Sequence, residues 1–147
     1  MTTVMNATAA SLQLQPYIFF YGRCEEALEF YKGALGGTYE LQRMDSAPPE
    51  MIEHVPADGR NKIMHASFTG PGVSFLASDG RETKTIDPEA GNISLALNAA
   101  DRATGERIFK ALSQGGQVNT PLEDAFWGGR FGDVVDRFGI EWMITTP

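Results

Sequence analysis

Two stretches of the chain can be laid over one another without a gap: IMHASFTGPGVSFLAS, from Ile63 to Ser78, and RFGDVVDRFGIEWMIT, from Arg130 to Thr145. Pairing Leu76 with Met143 sets the displacement at 67 residues, from 76 to 143. That displacement also pairs Met64 with Phe131, Phe68 with Val135, Gly72 with Gly139, Val73 with Ile140 and Phe75 with Trp142. Each stretch reads as strand, tight turn, strand, so the chain is expected to be one small unit built twice. A twice-built unit places a ligand cavity between its copies and indicates which side chains face it.

The rest of the chain fits a doubled plan. Leu12 to Phe20 ends in the apolar and aromatic run PYIFF, a strand signal. Cys24 to Leu35 carries Ala27, Leu28, Tyr31, Ala34 and Leu35 at helical spacing, with Glu25 and Glu26 in the first turn, where the helix dipole favours carboxylates. Gly36-Gly37 stops it. Thr38 to Met44 is a second strand, Asp45 to Asn61 a Pro-bearing surface loop, and Lys62 to Phe68 with Val73 to Ser78 a hairpin around TGPG. The pattern then restarts. Ile93 to Asn98 reads as a strand and Asp101 to Gln114 as a helix stopped by Gly115-Gly116. Gln117 to Asn119 is a short strand, Thr120 to Gly129 a loop, and the second hairpin closes the chain. The expected organisation is a tail over 1–12, a first βαβββ module over 13–80, a linker over 81–91 and a second module over 92–147.

Composition bounds the partners. A net charge of −7 offers no basic face to exchange with the counterions of nucleic acid or an anionic membrane, so neither partner is expected. No apolar run approaches the ~20 residues that cross a bilayer. Cys24 is the one cysteine, which rules out an internal disulfide and points to a reducing, cytoplasmic home.

Taken together, PYIFF, CEEALEFYKGALGG, KIMHASF, SFLASDG, the second Gly-Gly and FWGGRFGDVVDRFGIEWMI resemble the PhnB-like family. That family lies in the vicinal-oxygen-chelate superfamily, with glyoxalase I, bleomycin-resistance proteins and extradiol dioxygenases. The resemblance covers roughly residues 13–146 and implies an α+β fold of two βαβββ modules. Each curved mixed sheet would form half of an open barrel, completed in a homodimer. Members often carry a methyltransferase label, but no glycine-rich turn here suits a methyl-donor nucleotide.

Metal-dependent relatives place His, Gln or Glu ligands on the first and last strands of each module. Carried over by motif, those positions fall at Pro16 or Gln15, at Leu76, at Ile93 or Ser94, and at Met143. Pro, Leu and Ile have no donor atom, Ser is a rare ligand, and a thioether is too soft for the ions involved. No metal and no other cofactor is therefore expected, and no catalytic residue is assigned. The reading is a metal-free protein that binds an unidentified small molecule. The alternative is a lyase, isomerase or dioxygenase-type enzyme working through a divalent metal or through Glu141 and His65.

The candidate lining is Tyr17, His65, Ser94, Trp127, Glu141 and Met143. His65 is either a hydrogen-bonded group in or near the core or a cavity residue. Glu141 shares a face with Met143 and is either an exposed rim carboxylate or a cavity acid. Trp127, in the Gly-flanked FWGG, covers a ligand or plugs a dimer interface. Cys24 at the helix start is a packing residue or a thiol activated by the dipole. His54 belongs to the Pro-rich loop.

Overall fold

The computed structural model describes residues 12–53, 59, 61–80, 86–87 and 91–147. The expected linker lies largely outside these residues, and so does His54. The described elements in chain order are β1 (Tyr17–Phe19), α1 (Cys24–Leu35), β2 (Thr38–Arg43), a 3₁₀ turn (Met44–Ser46) and α2 (Pro49–Ile52). They continue with β3 (Ile63–Gly70), β4 (Val73–Ser78), β5 (Leu95–Asn98), α3 (Arg102–Leu112), β6 (Gln117–Asp124), β7 (Arg130–Val135) and β8 (Glu141–Thr146).

The strands form two four-stranded mixed sheets, ordered β1-β4-β3-β2 and β5-β8-β7-β6. In each, the first strand runs parallel to the last and the remaining pairs are antiparallel. Neither sheet closes on itself. This is the expected α+β pair of βαβββ modules. Period-2 alternation gives each sheet one face covered by helix and one left open. Ala27, Leu28 and Tyr31 of α1 and Ala66, Phe68, Phe75 and Ala77 of the first sheet are all buried. Phe109 and Leu112 of α3 are buried likewise, with Val134, Trp142 and Ile144 of the second sheet. Burying a side chain of the Leu or Phe kind is worth about 1.5–3 kcal/mol, so this helix-side layer supplies most of the driving force.

The two modules are joined through that layer by aromatic contacts and one buried carboxylate. Tyr31 meets Trp142 at 5.6 Å and Phe138 at 5.9 Å between ring centroids. Asp136, 3% exposed, accepts the Tyr31 hydroxyl, the Trp142 indole N–H at 2.9 Å and the backbone N–H groups of Phe138 and Ile140 at 2.9 and 3.1 Å. Burial, reinforced by the Asp136 charge, pushes the Tyr31 hydroxyl well above the usual phenol range, so it stays a donor.

Several boundaries differ from the sequence reading. β1 is only three residues long and starts after Pro16. The Asp45–Asn61 loop contains a 3₁₀ turn and the one-turn α2, with Pro49 at a helix-starting position. The short strand expected over Gln117–Asn119 runs on to Asp124 as one eight-residue edge strand, and the expected loop is confined to 125–129. Pro121 is tolerated because an edge strand needs only one row of hydrogen bonds.

The gapless hairpin alignment is also corrected by one residue. Leu76 pairs with Ser67, whereas Met143 pairs with Asp133. The last strands therefore match at 67 residues, but the strands before them match at 66 (Ser67 to Asp133). Phe68 is thus the counterpart of buried Val134, not of Val135, and Met64 is not the counterpart of Phe131. The extra residue sits in the second turn, where Asp136 N–H bonds Ile140 and three residues lie between. Two residues, Pro71 and Gly72, suffice between Gly70 and Val73. A slip of one flips every side chain to the other face, so the turn absorbs it.

Candidate functional site

The open faces carry the candidate residues. On the first sheet a row of cross-strand neighbours runs Tyr17, Leu76, Ser67, Glu40. The corresponding row of the second sheet runs Ala96, Met143, Asp133, Thr120. One step away along the strands, each sheet makes the same kind of bond. The Gln15 side-chain amide donates to the Ser74 hydroxyl, and the Ser94 hydroxyl donates to the Glu141 carboxylate. Gln15 to Ser94 is a displacement of 79 residues and Ser74 to Glu141 one of 67. The two bonds are therefore counterparts, with the long and short side chains exchanged.

His65 lies on the open face and is exposed. That excludes the core alternative. Its ring is 6.0 Å from Tyr17, which is itself 5.1 Å from Phe19. Tyr17 and Phe19 remain 43% and 46% exposed, so the first module offers an aromatic strip to whatever meets it. Met64, Ala66 and Phe68 point the other way, as expected. Ile63 does not share the exposure of His65. A bulge between Gln42 and Arg43 shifts the register there, and Ile63 is buried.

Glu141 is not a free rim carboxylate. It is half-buried, held by Ser94, and adjacent to Asp133. Partial burial, followed by the hydrogen bond and negative charge of Glu141, raises the Asp133 carboxyl to about 6. One Asp133 oxygen, Oδ1, is buried without a hydrogen-bond partner. Met143 occupies the centre of the same face, between Ala96 and Asp133. Trp127 stands at the edge, 63% exposed, with its ring 5.9 Å from Phe131 and 4.9 Å from the almost fully exposed Phe126. The structure therefore brings Ser94, Glu141 and Met143 onto one face, and Tyr17 and His65 onto another.

Sequence reasoning missed Asp133. It follows a glycine in a strand whose alternation, read with the gapless alignment, assigned the wrong face. The chain order GDVV would have exposed it once the turn was known to hold an extra residue. A second carboxylate that the strand pattern does not reveal is Asp79, directly after β4. It is 4% exposed and accepts three backbone N–H groups, from Gly22 at 2.9 Å, Cys24 at 2.8 Å and Ile63 at 2.7 Å. That carboxylate and burial push the Cys24 thiol to about 12, with desolvation the larger cause. The helix dipole does not activate it, and Cys24 is a packing residue.

A metal would need three or four donors converging on one point. Leu76 and Met143 occupy two of the family's ligand positions. Gln15 is bonded to Ser74 on one sheet, while Ser94 and Glu141 are bonded to each other on the second. Among the described residues no three His, Cys, Asp or Glu side chains gather in a metal-binding group. These residues do not fit the divalent ion held by the metal-dependent proteins that the sequence resembles.

Comparison with known proteins agrees with this architecture. The family model described as 3-demethylubiquinone-9 3-methyltransferase matches residues 12–145. Protein PA1353 from Pseudomonas aeruginosa is similar at 37% identity and a TM-score of 0.77, over 92% of this chain and 97% of that one. A PhnB protein from Bacillus cereus is similar at 24% identity and a TM-score of 0.73, over 92% and 100%. A member of the glyoxalase/bleomycin resistance protein/dioxygenase superfamily from Sphaerobacter thermophilus shares the fold at 18% identity and a TM-score of 0.53, over 93% and 99%. Matched over nearly its whole length, the chain belongs to the 3-demethylubiquinone-9 3-methyltransferase family.

Proposed function

We propose that the protein is a cytoplasmic, metal-free homodimer that holds a small molecule between open sheet faces. The observation that carries this reading is the contrast in what those faces bear. Leu76 and Met143 stand at two of the positions where the resemblance places ion ligands, Tyr17 and Phe19 add aromatic surface to the first face and Trp127 to the edge of the second, and the one polar cluster is Ser94, Glu141 and Asp133. Apolar walls with few convergent polar groups are the usual make-up of a ligand site. Dimerisation is supported by the exposure of Tyr17, Phe19, Phe126 and Trp127, since aromatic side chains clustered at a surface mark an interaction site. In the described residues no helix is long and apolar enough to cross a membrane. The family description names a methyl transfer, but the turns entering α1 and α3 (Tyr21-Gly22-Arg23 and Ala99-Ala100-Asp101) hold no glycine-rich phosphate cradle, so the reading is not built on that name.

One observation favours the enzymatic alternative. A carboxyl near 6 beside a second carboxylate is suited to proton transfer at neutral pH, so Asp133 and Glu141 could serve as acid and base for a bound carbonyl compound. The two readings separate experimentally. Sedimentation velocity should give a dimer, and plasma mass spectrometry of freshly purified protein should give less than a tenth of a divalent ion per chain. A screen following Trp127 emission, with Trp127→Phe as the blank, should find ligands whose binding is unaffected by EDTA. Stoichiometric metal, or turnover that Asp133→Asn abolishes, would discard the binding-only reading.

A further inference from the structure

A second recessed surface lies on the opposite, helical side of the molecule. It is a groove of about 480 Å³ between α1 and α3, within the size range of small-molecule sites. Its floor is Phe30, Gly33 and Ala34 from α1 and Ala111 from α3. A Cβ added at Gly33 would meet nothing within 4 Å, so the floor is open above it. A glycine inside a helix costs about 1 kcal/mol relative to alanine, and no packing against Gly33 accounts for that cost.

The rim of the groove is basic. Arg107 and Lys110, three residues apart on α3, stand on one side, and Arg137 from the β7–β8 turn stands at the end. The Arg137 guanidinium lies 4.4 Å over the Phe30 ring, and its Nε donates to the Gln114 carbonyl at 3.0 Å, so this cation is held in place. Arg23, Arg43 and Arg130, by contrast, are each engaged in an ion pair with a glutamate. Asp101 and Glu26 act on Arg107 and Arg137 only through the longer-range field. The one acid lining the groove, Glu29, accepts the Tyr39 hydroxyl. In a chain of net charge −7, three cations gathered around an apolar floor are a local reversal of sign.

From this charge complementarity we infer that the α1–α3 groove binds a single-chain amphipathic anion. Its acyl tail lies on Phe30, Gly33, Ala34 and Ala111, and its carboxylate meets Arg107, Lys110 and Arg137. The carboxylate–cation attraction is partly screened at this exposed rim, so binding weakens as salt rises. The site is independent of the ligand proposed for the open sheet faces.

The test is calorimetric titration of the full chain with sodium decanoate below its micelle concentration, at low salt. One molecule should bind per chain. Arg107→Glu with Lys110→Glu should weaken binding at least tenfold, and Gly33→Leu, which fills the floor, should do the same. Tyr17→Ala and Trp127→Ala should leave it unchanged, and decyltrimethylammonium should not bind at this site. Folding of each variant is checked by circular dichroism. Absence of decanoate binding, or binding indifferent to the charge reversal, overturns the inference. Loss of binding in Tyr17→Ala overturns it by moving decanoate to the sheet face. A shift in sedimentation on charge reversal overturns it by making the groove an interface between copies. Binding seen only with phosphatidylglycerol vesicles overturns it in favour of a membrane surface.

Discussion

Superposed strand by strand, the two modules put Tyr17 where Ala96 stands, Leu76 where Met143 stands, and Ser67 where Asp133 stands. One plan therefore yields an aromatic face whose acid, Glu40, stands on the edge strand, and a thinner face whose acids, Asp133 and Glu141, stand on the central strands. Within the sheets the change of chemistry falls on side chains pointing away from the helices. On the helix side the counterparts Phe75 and Trp142, or Phe68 and Val134, remain buried and apolar. Packing constrains the covered face, because a missing methylene there is felt directly. The open face is free to acquire chemistry.

The largest test of this comparison lies in the second turn. Asp136 has no counterpart carboxylate, because the matching position in the first module is Gly70. Removing it by Asp136→Ala strands the Tyr31 hydroxyl, the Trp142 indole N–H and two backbone N–H groups in the interior. Each buried unsatisfied group costs about 1–3 kcal/mol, and relaxation recovers part of the sum, so a loss of about 4 kcal/mol is expected in urea unfolding. A loss below about 1 kcal/mol would mean that this carboxylate does not join the modules.

Helix capping supplies the next contrast. Asp101 caps α3 from its own chain position, accepting the Thr104 N–H at 2.7 Å. The equivalent position before α1 is Gly22, which has no side chain, and Asp79 reaches the same helix end from beyond β4. Asp79→Ala should therefore cost about 3 kcal/mol, since two buried N–H groups, those of Cys24 and Ile63, and the part-buried one of Gly22 lose their acceptor. Asp101→Ala should cost about 1 kcal/mol at its exposed site. Equal costs would refute the distinction between a buried and a surface cap. Smaller than the Asp79 loss, and equal in the two modules, should be the effect of substituting the helix-stop glycines. A Cβ on Gly37 would lie 2.4 Å from the Thr69 carbonyl oxygen, and one on Gly116 would lie 2.2 Å from that of Val135. Thr69 and Val135 are themselves 66 residues apart, so both glycines serve the same close approach. Gly37→Ala and Gly116→Ala should each destabilise by about 2 kcal/mol, measured the same way.

These glycines also show what the chain discloses in advance. The paired Gly-Gly stops, the helical spacing of Ala27, Leu28 and Tyr31, and the alternation in SFLAS and EWMIT are local signals, and each appears in the structure where the sequence puts it. The face borne by β7 was not legible, because it depends on how many residues the preceding and following turns consume. Edge strand β6 was read short because Pro121 suggests a loop, whereas an edge tolerates it. The candidate site was legible as a set of outward residues, among them Tyr17, Ser94, Glu141 and Met143. Its central interaction was not. The contact of Asp133 with Glu141 is a cross-strand relation, and no spacing along the chain announces it.

That contact yields the most direct probe of the acidic face. The Asp133 carboxyl titrates near 6 in the folded protein, against an ordinary value of 3.8. Between those two values the native state binds more protons than the unfolded chain, so stability falls as pH rises through that window. The cost is complete above about pH 6 and absent below about pH 4. A full two-unit shift would correspond to about 3 kcal/mol. Water reaches part of the pair, which reduces the expected cost to about 1–2 kcal/mol. Asp133→Asn should accordingly unfold at higher urea concentration than the parent at pH 7.5, and the two should converge at pH 4. Ser67→Asp, which writes the same acid into the first module opposite Leu76, should produce no comparable pH dependence once Glu40→Gln removes the carboxylate directly across from it, because the neighbour at the Glu141 position there is Ser74. A gap between Asp133→Asn and the parent that stays constant from pH 4 to pH 7.5 would show that the carboxylates do not interact, and the acidic character of the second face would then be incidental to its chemistry.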